Sequence, residues 1–554
     1  MGFGRFSFVA LLSLALNAVI TTADNSTVTY DWRVTYVSTA CDGVSLTEYG
    51  INDDVSTRAL IELELGQTVQ LSVTNELDEM TCLHWHGLQQ LGTQEMDGTS
   101  DITQCGIAPG GSAVYTFTPE QAGTYWWHSH HSTQYAYGLR GPLIVHAPTD
   151  DKQSWETEIA AEYTLQLADL YHALPGIPRS LQLHRRGLHG YSECNTDQPL
   201  ARFKFEAGSK YRLRLINMGA LAPFEFSIDG HEFSVVAADG EYLQPSEEIT
   251  TLRINAGQRY DIVVEAKAAS SSAIGSFWIR AAALYGLPWT ADEPTSSDWT
   301  ETTTIEEYDF TSLEVSVLPT VPSDRPILEF GFRRGLGYFS IDGGDYLHFA
   351  APEEPPLFTI AADLKTEDLP ATALARKIEY GKHVEVALVN DMNEQHPFHM
   401  HTHAPWVVGS GTASLEDIQA GNINLKLQGA MKRDVYTVPP CDTDDRGACT
   451  NHGYVVLRFT ADNPGVWTIH CHIDWHLDAG LAMILVEGQD ELQAAGVGAF
   501  ANSILSVCGT EFTNSTSSNS THSGGDTQQQ LFFYPTGSST SSRLVKVVNN
   551  VQTV

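Results

Sequence analysis

The chain has 554 residues, 42% of them hydrophobic and 18% charged, so it carries enough apolar material for a large buried core and a length suited to roughly three to four domains. Its formal net charge of -37 excludes nucleic acid and an anionic membrane surface as partners. It suits a soluble extracellular protein that attracts cations.

At the N-terminus, Arg5 precedes an apolar run from Phe6 to Ile20, and Thr21, Thr22 and Ala23 offer small residues for cleavage before Asp24. The run is too short for a membrane span, so residues 1–23 read as a secretory signal peptide. No later stretch reaches the ~18 apolar residues of a membrane helix, and no transmembrane anchor is expected. Sequons at Asn25, Asn514 and Asn519 agree with secretion. In an oxidising compartment most of the eight cysteines should pair. Cys441 and Cys449 flank a short polar loop and can close on each other. Cys471 sits between two histidines and is better explained as a metal ligand. An odd number then remains for disulfides, so at least one thiol stays free.

The body reads as all-β. Alternating runs such as Thr68–Thr74, Ala113–Thr118 and Tyr211–Ile216 are punctuated by Gly, Pro, Asn and Asp. Such short strands with turns between them suggest sandwiches or Greek-key barrels. Ala108–Phe117 leads into an aromatic strand ending at His128. Tyr454–Phe459 leads in the same way into a strand ending at His470. A middle block with Arg212–Asn217 and Ala256–Val264 lacks such histidines. Three related β-domains are therefore expected at 24–150, 151–310 and 311–508. The remainder, 509–554, is rich in Ser, Thr, Asn and Gln and reads as a flexible tail.

Four histidine motifs punctuate the first and last blocks: His84-Trp85-His86, His128-Ser129-His130, His396-Pro397-Phe398-His399-Met400-His401 and His470-Cys471-His472. In a strand, residues two apart share a face. One His-x-His pair in a β-protein is usually incidental. Four pairs in one chain reverse those odds, because eight imidazoles from four strands can ring a cluster of several metals between two domains. Parity separates a second site. Cys471 faces away from His470 and His472, His396 faces away from His399 and His401, and His476 follows Cys471 closely enough to fold back. Two histidines, a cysteine and a weak axial position describe a blue-copper electron-transfer site. Zinc accepts the same three ligands but leaves the eight imidazoles unexplained. The backbone of Cys471 joins the two sites, so an electron can pass through the thiolate and the peptide to His470 or His472. Dioxygen needs four electrons to become two waters, and a cluster that stores single electrons supplies them.

These motifs resemble the multicopper oxidases of the laccase and ferroxidase branch over residues 30–495. The resemblance implies three consecutive cupredoxin-like Greek-key β-barrel domains, the middle one without copper. It implies four copper ions: one type 1, one type 2 and a type 3 pair. His84 and His399 would hold type 2. His86, His128, His130, His401, His470 and His472 would hold type 3. His396, Cys471 and His476 would hold type 1, with electrons arriving at His476. The family's axial position falls on Leu481, which cannot coordinate, so a higher reduction potential than with methionine is expected. Asp97 and Asp474 match acidic positions that the family places near the cluster for proton delivery.

The reductant is less determined. Laccases that oxidise phenols and ferroxidases that oxidise Fe(II) share every copper ligand. Fungal ferroxidases place carboxylates beside the type 1 histidines. One such position is Met392 here, with Asp391 and Glu394 adjacent, and another falls in the acid-free loop Leu174–Pro178. A laccase-like oxidase of phenols or aromatic amines is therefore expected. A soluble ferroxidase is the alternative, and a copper-binding relative without activity is a third reading.

Overall fold

The computed structural model describes residues 27–40, 45–171, 201–267, 276–284, 302–313, 318, 322, 324–509, 543–544 and 549–553. The expected signal peptide, the three sequons, Cys41, Cys194 and the loop Leu174–Pro178 lie outside them. Strands dominate, and the α-helices among the described residues are short, the longest being Gln489–Ala495. None is long and apolar enough to cross a membrane.

The strands fall into three successive two-sheet units. In the first, a sheet ordered Asp54–Val55, Leu46–Ile51, Thr27–Thr39, Thr68–Asn75, Ser112–Phe117 faces one ordered Ile61–Glu64, Arg140–His146, Gly123–His128, His84–His86. The second sheet ends on a histidine pair because His84 and His128 are directly cross-strand partners. In the third unit, His396–Met400 lies between Val435–Val438 and Gly465–Cys471, with His399 opposite His470 and Phe398 opposite Cys471. The repeated phrase noted in the sequence thus occupies corresponding places in the outer units. The middle unit pairs Lys210–Asn217 with Arg259–Glu265 and carries no such histidines. Strand segments also occur in the stretch expected to be a flexible tail. Asn549–Thr553 pairs with Arg202–Phe205 and Ser276–Ala283, whose backbone groups on that side are satisfied by the ladder.

The units are held by buried charge as well as apolar packing. Asp261 of the middle unit accepts from Arg212, and from Thr124 of the first unit at 2.6 Å. Asp239 accepts from Arg433 of the third unit at 2.9 and 3.1 Å, and from the backbone of Val435 at 3.0 Å. Gly123 and Gly240 meet across the first interface, where a Cβ on Gly123 would lie 2.7 Å from the Gly240 Cα. Phe500, Ile504 and Leu505 pack into the first unit's core, tied there by a Cys105–Cys508 disulfide. Cys441 and Cys449 pair as expected. Cys82 and Cys471 are the free thiols among the described cysteines, and burial pushes the Cys82 thiol up to about 12.

Candidate copper centre

Aromatic neighbours set the direction of the first unit's histidines. Trp85 turns to the opposite face of its strand and packs on Tyr115 and Phe117, leaving His84 and His86 on the other side. Trp126 stacks on His128 at 4.3 Å between ring centres. The four pairs converge where the first and third units meet. Ring centres lie 4.1 Å apart for His84 and His401, 3.8 Å for His86 and His399, 5.1 Å for His130 and His470, and 5.0 Å for His86 and His472. Nitrogens of His84, His86 and His128, of His84, His399 and His401, and of His130, His401 and His470 form triads within 4.8 Å.

The hydrogen bonds show which nitrogen of each ring faces inward. Nδ1–H donates to the carbonyl of Asp97 from His84 (2.7 Å), of Ser129 from His128 (2.9 Å), of Asp434 from His399 (3.0 Å) and of Cys471 from His470 (3.0 Å). His401 donates Nδ1–H to Asp97 Oδ2 at 3.0 Å. Nε2 of His84, His128, His399 and His472 is then buried with no hydrogen-bond partner. Burial and neighbouring imidazoles push His86, His128, His130, His399 and His470 well below the ordinary range. Burial takes His401 down to about 4 and His472 to about 3. A set of neutral imidazoles with buried, unpartnered lone pairs is a fit for soft-to-borderline metal ions such as copper.

The second constellation has the predicted parity. Cys471 Sγ lies 3.6 Å from His396 Nδ1 and 3.5 Å from His476 Nδ1. His476 comes from the short helix Asp474–Asp478. Leu481 is fully buried; its N–H donates to the His476 carbonyl and its carbonyl accepts from the Cys471 N–H. Met483 is a buried strand residue facing Ile469 across the sheet. Phe330 and Phe332 pack edge-on against His396 and His476, at 5.4 and 4.7 Å.

The two acids occupy different places. Asp97 is buried between His84 and His401 and also accepts from Thr99. Although burial pushes its carboxyl up, His401 and His84 hold it well below the usual carboxylate range. Asp474 lines a narrow cleft with Ser132, Tyr135, His130, His470 and Leu477. His403, which extends the third motif, turns away to Glu487 at 3.1 Å. Asp391 accepts from Tyr338. Sequence reasoning gave no site role to Asp434 or Arg259; Asp434 meets His86, and Arg259 holds Asp434, only through the fold.

Family models for multicopper oxidase match residues 33–150, 153–309 and 349–491. Laccase-2 of Pleurotus ostreatus is 34% identical over 471 residues, covering 78% of this chain and 82% of its own. Laccase of Pycnoporus cinnabarinus is 32% identical, covering 88% and 95%. Among solved structures, Fet3p, a multicopper oxidase that functions in iron import, superposes with a TM-score of 0.72 at 26% identity, covering 87% of this chain and 94% of that one. The laccase of Botrytis aclada gives 0.70 at 27%, covering 89% and 93%. Paired histidine strands at one domain junction, a buried Cys-His-His set beside them, and matches across all three β-units place this chain in the multicopper oxidase family.

Proposed function

We propose that this copper-dependent oxidase takes single electrons from phenols or aromatic amines, as a laccase does, and passes four of them with four protons to dioxygen, giving two waters. In this reading His396, Cys471 and His476 hold type 1, His84 and His399 hold type 2, and His86, His128, His130, His401, His470 and His472 hold the type 3 pair. Copper supplies the one-electron redox chemistry when bound. The protein's part is to bring the reductant to His476, to join the two sites covalently through His470-Cys471-His472, and to keep the cluster imidazoles neutral. The secretory leader carries the enzyme to the outside.

The observation that carries the substrate assignment is the aromatic wall of Phe332 against His476. An aromatic surface suits a planar organic reductant. Fe(II) is a hard cation that favours oxygen ligands. The ferroxidase alternative has the structural match to Fet3p behind it, but the laccase structure of Botrytis aclada matches about equally well and the laccases of Pleurotus ostreatus and Pycnoporus cinnabarinus are more similar in sequence. Steady-state oxidation of a diphenol and of Fe(II) by the same preparation separates the two. The diphenol should give the higher kcat/KM, and a large preference for Fe(II) overturns the assignment.

Two further results are expected. Leu481→Met is nearly volume-conserving and offers a thioether donor to oxidised copper. It should lower the type 1 potential measured by redox titration of the blue absorption, and an unchanged or raised potential would remove Leu481 from the axial place. Asp474 is the better placed of the two acids to carry protons, because it lines the cleft. Asp474→Asn should slow dioxygen-driven reoxidation by about 10²-fold, the ordinary size of general acid catalysis. Reductant should still bleach the blue absorption. Asp97→Asn should show the same reoxidation defect with added loss of copper, since Asp97 also holds His84 and His401. Unchanged turnover across pH in both variants would end the relay role.

A further inference from the structure

His86 is turned the opposite way from its neighbours. His84, His128, His399, His401 and His470 each direct Nδ1 at a protein oxygen. His86 instead places Nε2 3.1 Å from Asp434 Oδ1, and its Nδ1 is the buried nitrogen without a partner. Burial pushes the Asp434 carboxyl up, but both of its oxygens accept from Arg259, which holds it as a carboxylate that only accepts, so the proton of His86 sits on Nε2 and the lone pair on Nδ1.

The carboxylate is itself held in place. Arg259 grips it with two parallel bonds, Nη1 to Oδ1 and Nη2 to Oδ2, each 2.6 Å. The guanidinium is fully buried, and its Nε donates to the Thr124 carbonyl at 3.1 Å. Arg259 begins a strand of the middle unit, Thr124 lies in the first unit and Asp434 in the third. The pair therefore forms where all three units meet. The residue after His86 leaves room for it. Gly87 has φ +96, and a Cβ there would lie 2.4 Å from Arg259 Nη2 and 2.8 Å from Asp434 Oδ2. Asp434 also accepts from His399 through its backbone carbonyl. One residue thus orients two imidazoles, through two different oxygens.

We propose that Arg259 and Asp434 are positioning residues through which the copper-free middle domain fixes the tautomer and ring orientation of His86 and presents its Nδ1 to the type 3 pair. The proposal rests on the assignment of His86 to that pair. A bidentate guanidinium does two things here. It stops the carboxylate from rotating away from His86, and it occupies both oxygens. Asp434 together with His86 and His399 would otherwise be a donor set in its own right, with its atoms within 4.8 Å of theirs. The middle domain then contributes to the cluster without donating a ligand to it.

The test uses the copper-loaded full chain and the variants Asp434→Asn, Arg259→Gln and Arg259→Lys. Copper per chain is followed during dialysis against a copper chelator, with blue absorption as the internal control and EPR to count uncoupled copper. Outer partners of metal-bound histidines are worth about 10–100-fold in metal affinity. Asp434→Asn and Arg259→Gln should lose cluster copper at about 10–100-fold lower chelator concentration. The EPR-detectable fraction should rise, and the blue absorption per folded chain should stay constant. Arg259→Lys keeps the charge and loses the fork, so it should fall between wild type and Arg259→Gln. In a His86→Ala background, Asp434→Asn should add little. Wild-type copper retention and spin count in the three single variants would overturn the proposal, as would fully additive loss in the His86→Ala background. If the wild-type chain itself shows no coupled copper pair, the assignment of His86 fails, and that result is read before any variant is made.

Discussion

Cys471→Ser should abolish the blue absorption and bring oxidation of the reductant down to background, while the protein still folds and keeps the copper of the histidine cluster. Cys471 is fully buried, between the Nδ1 atoms of His396 and His476. Serine nearly conserves its volume, so the strand Gly465–Cys471 and its pairing should survive. The chemistry does not survive. A serine hydroxyl stays protonated at neutral pH and offers a hard donor, where the thiolate offers a soft one that favours copper. His470 and His472 lie on the other face of the Cys471 segment, and the remaining six imidazoles come from other segments, so the cluster loses no ligand. Copper should therefore fall by one of the four ions per chain. Visible absorption, metal analysis and dioxygen uptake measure the three quantities. Retained blue absorption in the variant would remove Cys471 from the type 1 set. Loss of all copper would mean that the two sites are not separable by strand parity.

The largest effect on stability is expected from Asp239→Asn. Asp239 and Arg433 are both fully buried, and they join the middle and third units through two hydrogen bonds. Arg259 lies 3.7 Å from the same carboxylate. Asp239 has φ +49, in the left-handed region that asparagine tolerates. The substitution therefore keeps the backbone and the shape, removes the charge, and sets an amide N–H2 against N–H donors that the carboxylate accepted. Two buried guanidiniums each lose one counter-ion while Arg259 keeps Asp434 and Arg433 keeps Glu307, so the cost should sit near the lower end of the about 3–5 kcal/mol of a broken buried pair. Urea unfolding at matched copper content should show this loss, and a change below about 1 kcal/mol, the size of a surface pair, would refute it.

The same pair predicts a pH dependence. Burial pushes the Asp239 carboxyl up, but Arg433 and Arg259 override it and hold it below the ordinary value. A folded-state value below the unfolded one of about 3.9 means that the stabilisation is present above that pH. It is lost as pH falls through the depressed folded value. The stability gap between wild type and Asp239→Asn should therefore be constant near neutral pH and shrink in acid.

The all-β class and the relation between the two outer units were legible in the chain because their signals are local. Period-two alternation and Gly-punctuated turns show in short windows, as in Thr68–Asn75 and Lys210–Asn217. The grouping of copper-centre residues was legible for the same reason. Strand parity needs only neighbouring residues to put His470 and His472 on one face and Cys471 on the other, and the packing of Cys471 on His396 and His476 follows it. The pairing of Cys441 with Cys449 was readable from their short separation. The pairing of Cys105 with Cys508 was not, because 403 residues separate them and only the docking of Phe500, Ile504 and Leu505 on the first unit brings them together. Asp434 and Arg259 were invisible for a related reason. Arg259 opens an ordinary strand and Asp434 sits in a bend between two strands, and their value comes from Arg259 holding Asp434 against His86 where three units meet. The sequence alone grouped the side chains proposed to hold copper, since that grouping depends on residue type and period. Only the tertiary structure decided which nitrogen each imidazole presents, since that depends on the oxygen the rest of the fold places behind the ring.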